Sequence, residues 1–106
     1  MSLVVGQSGA DTLVTVAGRV TTESSPDLRS LLFRLIKKDR SVVIDIHRVI
    51  YLDTSGIATL LEALKLSASR SGKLRLLGVG GQPGVLAEIT ELATIFAAAG
   101  SEVVFI

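Results

Sequence analysis

The apolar positions of this chain change period several times, and each change marks a predicted element. Thr12-Leu13-Val14-Thr15-Val16-Ala17-Gly18 alternates polar and apolar residues, the pattern of a half-buried strand. Leu3 to Gln7 is a second strand candidate, and Ser8-Gly9-Ala10-Asp11 between them has turn composition, so the two read as an antiparallel hairpin. Leu28, Leu31, Leu32, Leu35 and Ile36 then recur with a helical period. Ser25-Pro26-Asp27 supplies a start for that helix: a capping hydroxyl, a proline at the first helical position and an acid in the first turn. Arg34, Lys37, Lys38 and Arg40 gather at its end, where the helix dipole favours cations.

Val42 to Ile46 is the most hydrophobic run and is expected at the centre of a sheet, with His47 to Leu52 leading on to Asp53. A helix is predicted from Ser55 to about Ser69, burying Ile57, Leu60, Leu61, Leu64 and Ala68 and leaving Ala58, Thr59, Glu62, Lys65 and Leu66 off that stripe. Ser71-Gly72 ends it, and Lys73 to Leu77 alternates as a strand. Gly78 to Gly84 reads as a loop, followed by a helix carrying Val85, Leu86, Ile89, Leu92, Ile95 and Phe96, a glycine stop at Gly100 and a β-rich tail over Val103 to Ile106. The order β-β-α-β-α-β-α-β makes this an α/β fold. We expect one domain over residues 1–106, a mixed four- to five-stranded sheet with an N-terminal hairpin, packed against about three helices.

Composition narrows the chemistry. At 106 residues, 48% of them hydrophobic, the chain supports one core. Eleven Lys and Arg against ten Asp and Glu leave no bulk charge to attract nucleic acid or a membrane surface. No apolar run approaches the roughly 18 residues that cross a bilayer, and no secretory signal is read at the N-terminus, so a cytoplasmic location is expected. The chain has no cysteine and one histidine, His47, which excludes thiolate nucleophiles, disulfides and paired-histidine metal sites within one chain. We expect no metal and no cofactor.

The candidate site is the switch from strand to helix at Asp53-Thr54-Ser55-Gly56. Its Asp-Thr start is like the turn of aspartic proteases, but Ser55 is an extra residue and the continuation is helical rather than β. A serine nucleophile elbow would need glycines two residues to either side of Ser55, and they are absent. The loop from Gly78 lacks the Gly-Lys-Ser/Thr ending of a phosphate-binding loop. With the enzyme readings removed, the corner is either an ordinary helix cap or a place where the first free N–H groups of a helix meet an anion.

A resemblance bears on that choice. Val43-Ile44-Asp45-Ile46, then Val49, then Leu52-Asp53-Thr54-Ser55-Gly56-Ile57 resembles the diagnostic segment of the STAS domain family, the fold of bacterial anti-sigma factor antagonists. Gly18 with the Leu28 to Leu35 helix resembles its first half, and Leu74 to Val79 with Val85 to Phe96 its second, although the family pattern would place a strand near Ile95-Phe96 where the alanines favour a helix. The resemblance implies a non-enzymatic partner-binding module that regulates transcription. Ser55 would be phosphorylated by an anti-sigma factor serine kinase, with Thr54 the second candidate for the phosphate. It also implies partner contacts at Asp53, Thr54, Ser55 and Gly56, in the loop at Thr21 and Thr22, and on the second helix at Thr59 and Glu62. One branch of the family, with Asp-Thr-Ala-Gly at the corner, resembles the small subunit of a phospholipid-trafficking ABC transporter. Asp53-Thr54 fits that branch, and the run Gly18-Arg19-Val20-Thr21 lacks the acid that many antagonists carry after the second strand. The alternative partner is therefore an ABC permease with its ATPase. The apolar tail could also pair with a second copy, so a homodimer is a further expected assembly.

Overall fold

β1 (Ser2–Ser8) runs antiparallel to β2 (Asp11–Val20), with Ser2 opposite Ala17 and Ser8 opposite Asp11. Gly9 opens the two-residue turn between them at φ +65°. A positive φ at the first of two turn residues matches strand twist and costs glycine nothing. The structure is a computed structural model that describes residues 1–78 and 94–104, with backbone alone for 102–104. The expected loop beyond Gly78, the helix positions Val85, Leu86, Ile89 and Leu92, and Phe105 and Ile106 lie outside the described residues.

The remaining elements are α1 (Ser25–Leu35), β3 (Ser41–Leu52), α2 (Thr54–Ser69), β4 (Lys73–Leu77) and β5 (Glu102–Val104). The sheet order is β1-β2-β3-β4-β5, and every pair after the hairpin is parallel. The expected mixed sheet is therefore five-stranded, with β3 at its centre. Right-handed crossovers that step the same way across a sheet place their helices on one face. On that face Val14, Val16, Val42, Ile44, Ile46, Leu74 and Leu76 meet Leu28, Leu32, Leu60 and Leu64 in one buried cluster. Residues 94–98 are helical, as the alanine content predicts, and Phe96 enters the same cluster.

Three local details depart from the sequence expectation. Ser25 does not cap α1. It is the first helical residue and is buried, while Ser24 stands at the cap position without a side-chain bond to the helix N–H groups. The buried stripe of α2 is Gly56, Thr59, Leu60, Ala63, Leu64 and Ser67 rather than one running through Ile57, Leu61 and Ala68. The helix turns its small residues toward the sheet because Gly56 must sit against it. A Cβ there would meet Leu52 Cδ1 at 2.5 Å and Val20 Cγ1 at 3.0 Å. Ile57, Leu61 and Leu66 flank the core half-buried. Third, β3 carries two extra residues opposite β2. Thr15 faces Asp45 while Ala17 faces Arg48, and Gly18 faces Val49 while Arg19 faces Tyr51. Such bulges break the two-residue alternation, so Ile46, Val49 and Leu52 all point into the core at a spacing of three.

Candidate functional site

The corner is built at the end of β3. Asp53 leaves the strand in extended conformation, and its N–H donates to Val20 O at 3.2 Å. Its carboxylate then ties two segments together. Oδ1 accepts from Ser55 N at 2.9 Å, Gly56 N at 3.1 Å and Ser55 Oγ at 2.5 Å, which caps α2. Oδ2 accepts from Thr22 N at 3.1 Å, which fastens the loop between β2 and α1. That loop is stiffened by Ser24, whose hydroxyl accepts from Thr21 N at 2.9 Å and donates to Arg19 O at 3.0 Å. Across the corner, Ser25 Oγ donates to Ser55 Oγ at 3.2 Å. The Ser55 hydroxyl thus sits in a short chain, accepting from Ser25 and donating to Asp53.

These bonds favour the ionised form of Asp53 and lower its pKa from the ordinary 3.8. The hydrogen bond from the Ser55 hydroxyl is the largest cause. Desolvation opposes it, and the N–H groups of Gly56, Thr22 and Ser55 add to the lowering.

The predicted site residues divide into two groups. Asp53, Ser55, Thr21 and Thr22 are brought together by the Asp53 carboxylate and the Ser24 hydroxyl, with Thr54 exposed beside them. Gly56 is buried and lets the corner pack on Leu52 and Val20. Glu62 lies exposed further along α2, paired with Arg29 of α1 at 2.6 Å. Thr59, expected on the exposed face of α2, is instead turned inward: it is 4% exposed, and its hydroxyl donates to Ser55 O at 2.9 Å. Of the two sequence readings of the corner, a helix cap or a meeting place for an anion, the N–H groups of Ser55 and Gly56 take the first, since Asp53 occupies both. His47 is an exposed strand residue with Nδ1 2.6 Å from Asp45 Oδ1. Among the described residues, no group of three His, Cys, Asp or Glu side chains could hold a metal ion.

The STAS domain family model matches residues 2–103. The chain belongs to the STAS domain family. Solved structures resemble it in fold. An anti-sigma factor antagonist from Mycobacterium paratuberculosis aligns with a TM-score of 0.74 at 18% identity, covering 89% of this chain and 80% of that one. The anti-sigma factor antagonist SpoIIAA in its unphosphorylated form aligns with a TM-score of 0.68 at 12% identity, covering 99% of this chain and 89% of that one. A comparison with curated proteins gives no match.

Within this STAS domain the structure adds residues that the sequence pattern did not single out. Ile50 is the extra residue of the second β3 bulge and stands 73% exposed. Its neighbour Tyr51 is 43% exposed, with the Arg19 guanidinium 4.5 Å from its ring centroid. A bulge re-aims a side chain, and here it turns an isoleucine outward three residues before Asp53. The signal was present as the three-residue spacing of Ile46, Val49 and Leu52, which departs from the two-residue alternation of a regular strand. Ser25 is the other addition, since its hydroxyl reaches sideways to Ser55 instead of capping its own helix.

Proposed function

We propose that this STAS domain is a partner-binding regulatory module of the anti-sigma factor antagonist kind, without catalysis of its own, and that a partner serine kinase phosphorylates Ser55. The observation that carries the reading is the Ser55 hydroxyl itself. It is half-buried at the first turn of α2, between Asp53 and Ser25, with Thr54 exposed next to it and Thr22 held to the same carboxylate. SpoIIAA is described in an unphosphorylated form, so phosphorylation is a state of that relative. The cytoplasm, where ATP and the kinase would be found, is the compartment this reading requires.

In the transfer, Ser55 Oγ bonds to the γ-phosphorus of ATP, the bond to the β-phosphate oxygen breaks, ADP leaves and the hydroxyl proton is released. The product carries close to two negative charges at neutral pH. They would lie beside the Asp53 carboxylate, which already holds the nearest N–H groups. The phosphate therefore projects toward solvent or displaces Asp53 from its cap. A partner surface shaped to a neutral hydroxyl would meet unpaired charge on docking, and burying such charge costs several kcal/mol. The docking surface comprises Asp53, Thr54, Ser55, Thr21 and Thr22, the Ile50-Tyr51 bulge and, further along α2, Glu62.

The test is affinity capture with the unmodified chain, Ser55→Ala and Ser55→Asp as baits. A serine kinase retained by the first two and lost with the third is the expected result, and equal retention by all three refutes a charge-based switch. Recovery of an ABC permease with its ATPase would instead place the chain in the transporter branch that Asp53-Thr54 resembles.

A further inference from the structure

β1 is an outer strand. β2 pairs one of its edges, and no described strand pairs the other. Outer strands present unpaired N–H and C=O groups, which proteins guard with lysine, proline, a bulge or a covering element. Ser2–Ser8 contains no charge and no proline, and its register with β2 is unbroken over its whole length. Val4 and Val5 point to opposite faces of the sheet and are 63% and 46% exposed.

The Val5 face opens on a groove of about 270 Å³ lined by Val5, Gln7, Thr12, Leu35, Lys37 and Arg40. Val5 and Leu35 give it an apolar floor, and Lys37 and Arg40 a cationic rim. Neither cation forms an ion pair with a described residue. Both sit on a turn held by backbone bonds from Arg40 N to Lys37 O, Asp39 N to Arg70 O and Lys73 N to Arg40 O. Two cations are therefore set beside a free strand edge on a fixed turn, and Asp39, exposed between them in the chain, forms no ion pair with either.

We propose that the free edge of β1 and this groove take up an extended segment of a partner protein whose side chains alternate acidic and aliphatic. Added as a sixth strand, such a segment bonds to the β1 backbone and sends alternate side chains to the two faces. Its acids lie over the groove, with their methylene stems on Val5 and Leu35 and their carboxylates at Lys37 and Arg40. Its aliphatic side chains cover Val4 on the other face. A second copy of β1 would not complete the groove, because Ser2–Ser8 brings no acid to it. The groove lies at Thr12, near the start of β2, whereas Asp53 bonds to Val20 at its end. The contact is thus separate from the Ser55 corner and does not depend on how that corner is regulated.

The probe is a terminally blocked octapeptide of alternating Glu and Val, titrated into the ¹⁵N-labelled chain and compared with its Lys/Val counterpart. The expected result is that the amide resonances of Ser2–Ser8 shift and exchange more slowly with Glu/Val but not with Lys/Val. Binding should weaken about tenfold or more in Lys37→Glu/Arg40→Glu, where two exposed ion pairs become repulsions. Those positions are exposed, so the core resonances of β3 and α2 report that the variant is folded. Absence of shifts at millimolar peptide, equal response to the Lys/Val peptide, or undiminished binding by the charge-reversed variant overturns the proposal. So does protection of the β1 amides by concentration-dependent dimerisation of the chain alone.

Discussion

Gly56 is the residue on which the geometry of the corner turns, and Gly56→Ala measures how tightly that corner is packed. The added Cβ would stand 2.5 Å from Leu52 Cδ1, 3.2 Å from Leu52 Cγ and 3.0 Å from Val20 Cγ1. Both neighbours are core residues, 5% and 1% exposed, so neither can swing into solvent. Overpacking of this kind costs about 1–3 kcal/mol. Replacing glycine by alanine in a helix returns up to about 1 kcal/mol. The expected net destabilisation is about 1 kcal/mol, or roughly 4–8 °C in Tm for a domain near this size. Denaturant unfolding followed by circular dichroism reads it, with Gly6→Ala as the control, since a Cβ at Gly6 meets nothing within 4 Å. A double-mutant cycle isolates the cause. Leu52→Ala costs about 2–5 kcal/mol by itself, but it removes the closest atoms that the new Cβ meets and leaves only Val20 Cγ1 at 3.0 Å, with new space beside it. In that background Gly56→Ala should be neutral or stabilising. If Gly56→Ala costs the same in both backgrounds, or stabilises the parent chain outright, the close packing of α2 on β3 at this corner is not what requires the glycine.

Three further outcomes are expected. Because the folded pKa of Asp53 lies below its ordinary value, its ionised form contributes stability that is complete above the unfolded pKa and lost as pH falls through the folded one. The stability gap between the parent and Asp53→Asn should hold constant at neutral pH and close below about pH 4 in an acid titration; a gap that widens with acid contradicts the capping geometry. Ile50→Glu should leave stability within about 0.5 kcal/mol, as an exposed substitution does, while weakening capture of the partner; unchanged capture removes Ile50 from the interface. The Arg29–Glu62 pair is half-exposed on both sides, so a double-mutant cycle by denaturant unfolding should give a coupling below about 1 kcal/mol, and a larger value would mean that the pair fixes the angle between α1 and α2.

The elements were legible in the sequence wherever a single period governed burial. Leu28, Leu31 and Leu32 gave α1 its inner face, and the alternation through Val14 and Val16 gave β2. The Asp53-Thr54-Ser55-Gly56 corner was legible as a strand-to-helix switch because an acid before hydroxyls and a glycine interrupts an apolar run. Three features were hidden, each for a physical reason. The bulges in β3 mix two spacings within one strand, so Ile50 read as another strand residue rather than one aimed outward. The phase of α2 is set by Gly56 and the small side chains at Thr59, Ala63 and Ser67, which carry little apolar weight and so do not register in a hydrophobic period. The role of Ser25 depends on a neighbour thirty residues away, whereas its local sequence, Ser-Pro-Asp, spelled a helix cap.

The central claim is that Ser55 is the residue that receives phosphate and that its charge governs partner binding. The direct measurement is a peptide mass spectrum of the chain after incubation with ATP and the kinase captured from its own cells, alongside Ser55→Ala. The account expects one phosphoryl group on the peptide Val49 to Lys65, placed by fragmentation on Ser55, absent from the variant, and accompanied by release of the partner. An unmodified peptide, phosphate carried only on Thr54 or elsewhere, or a phosphorylated Ser55 that still holds the partner would contradict it.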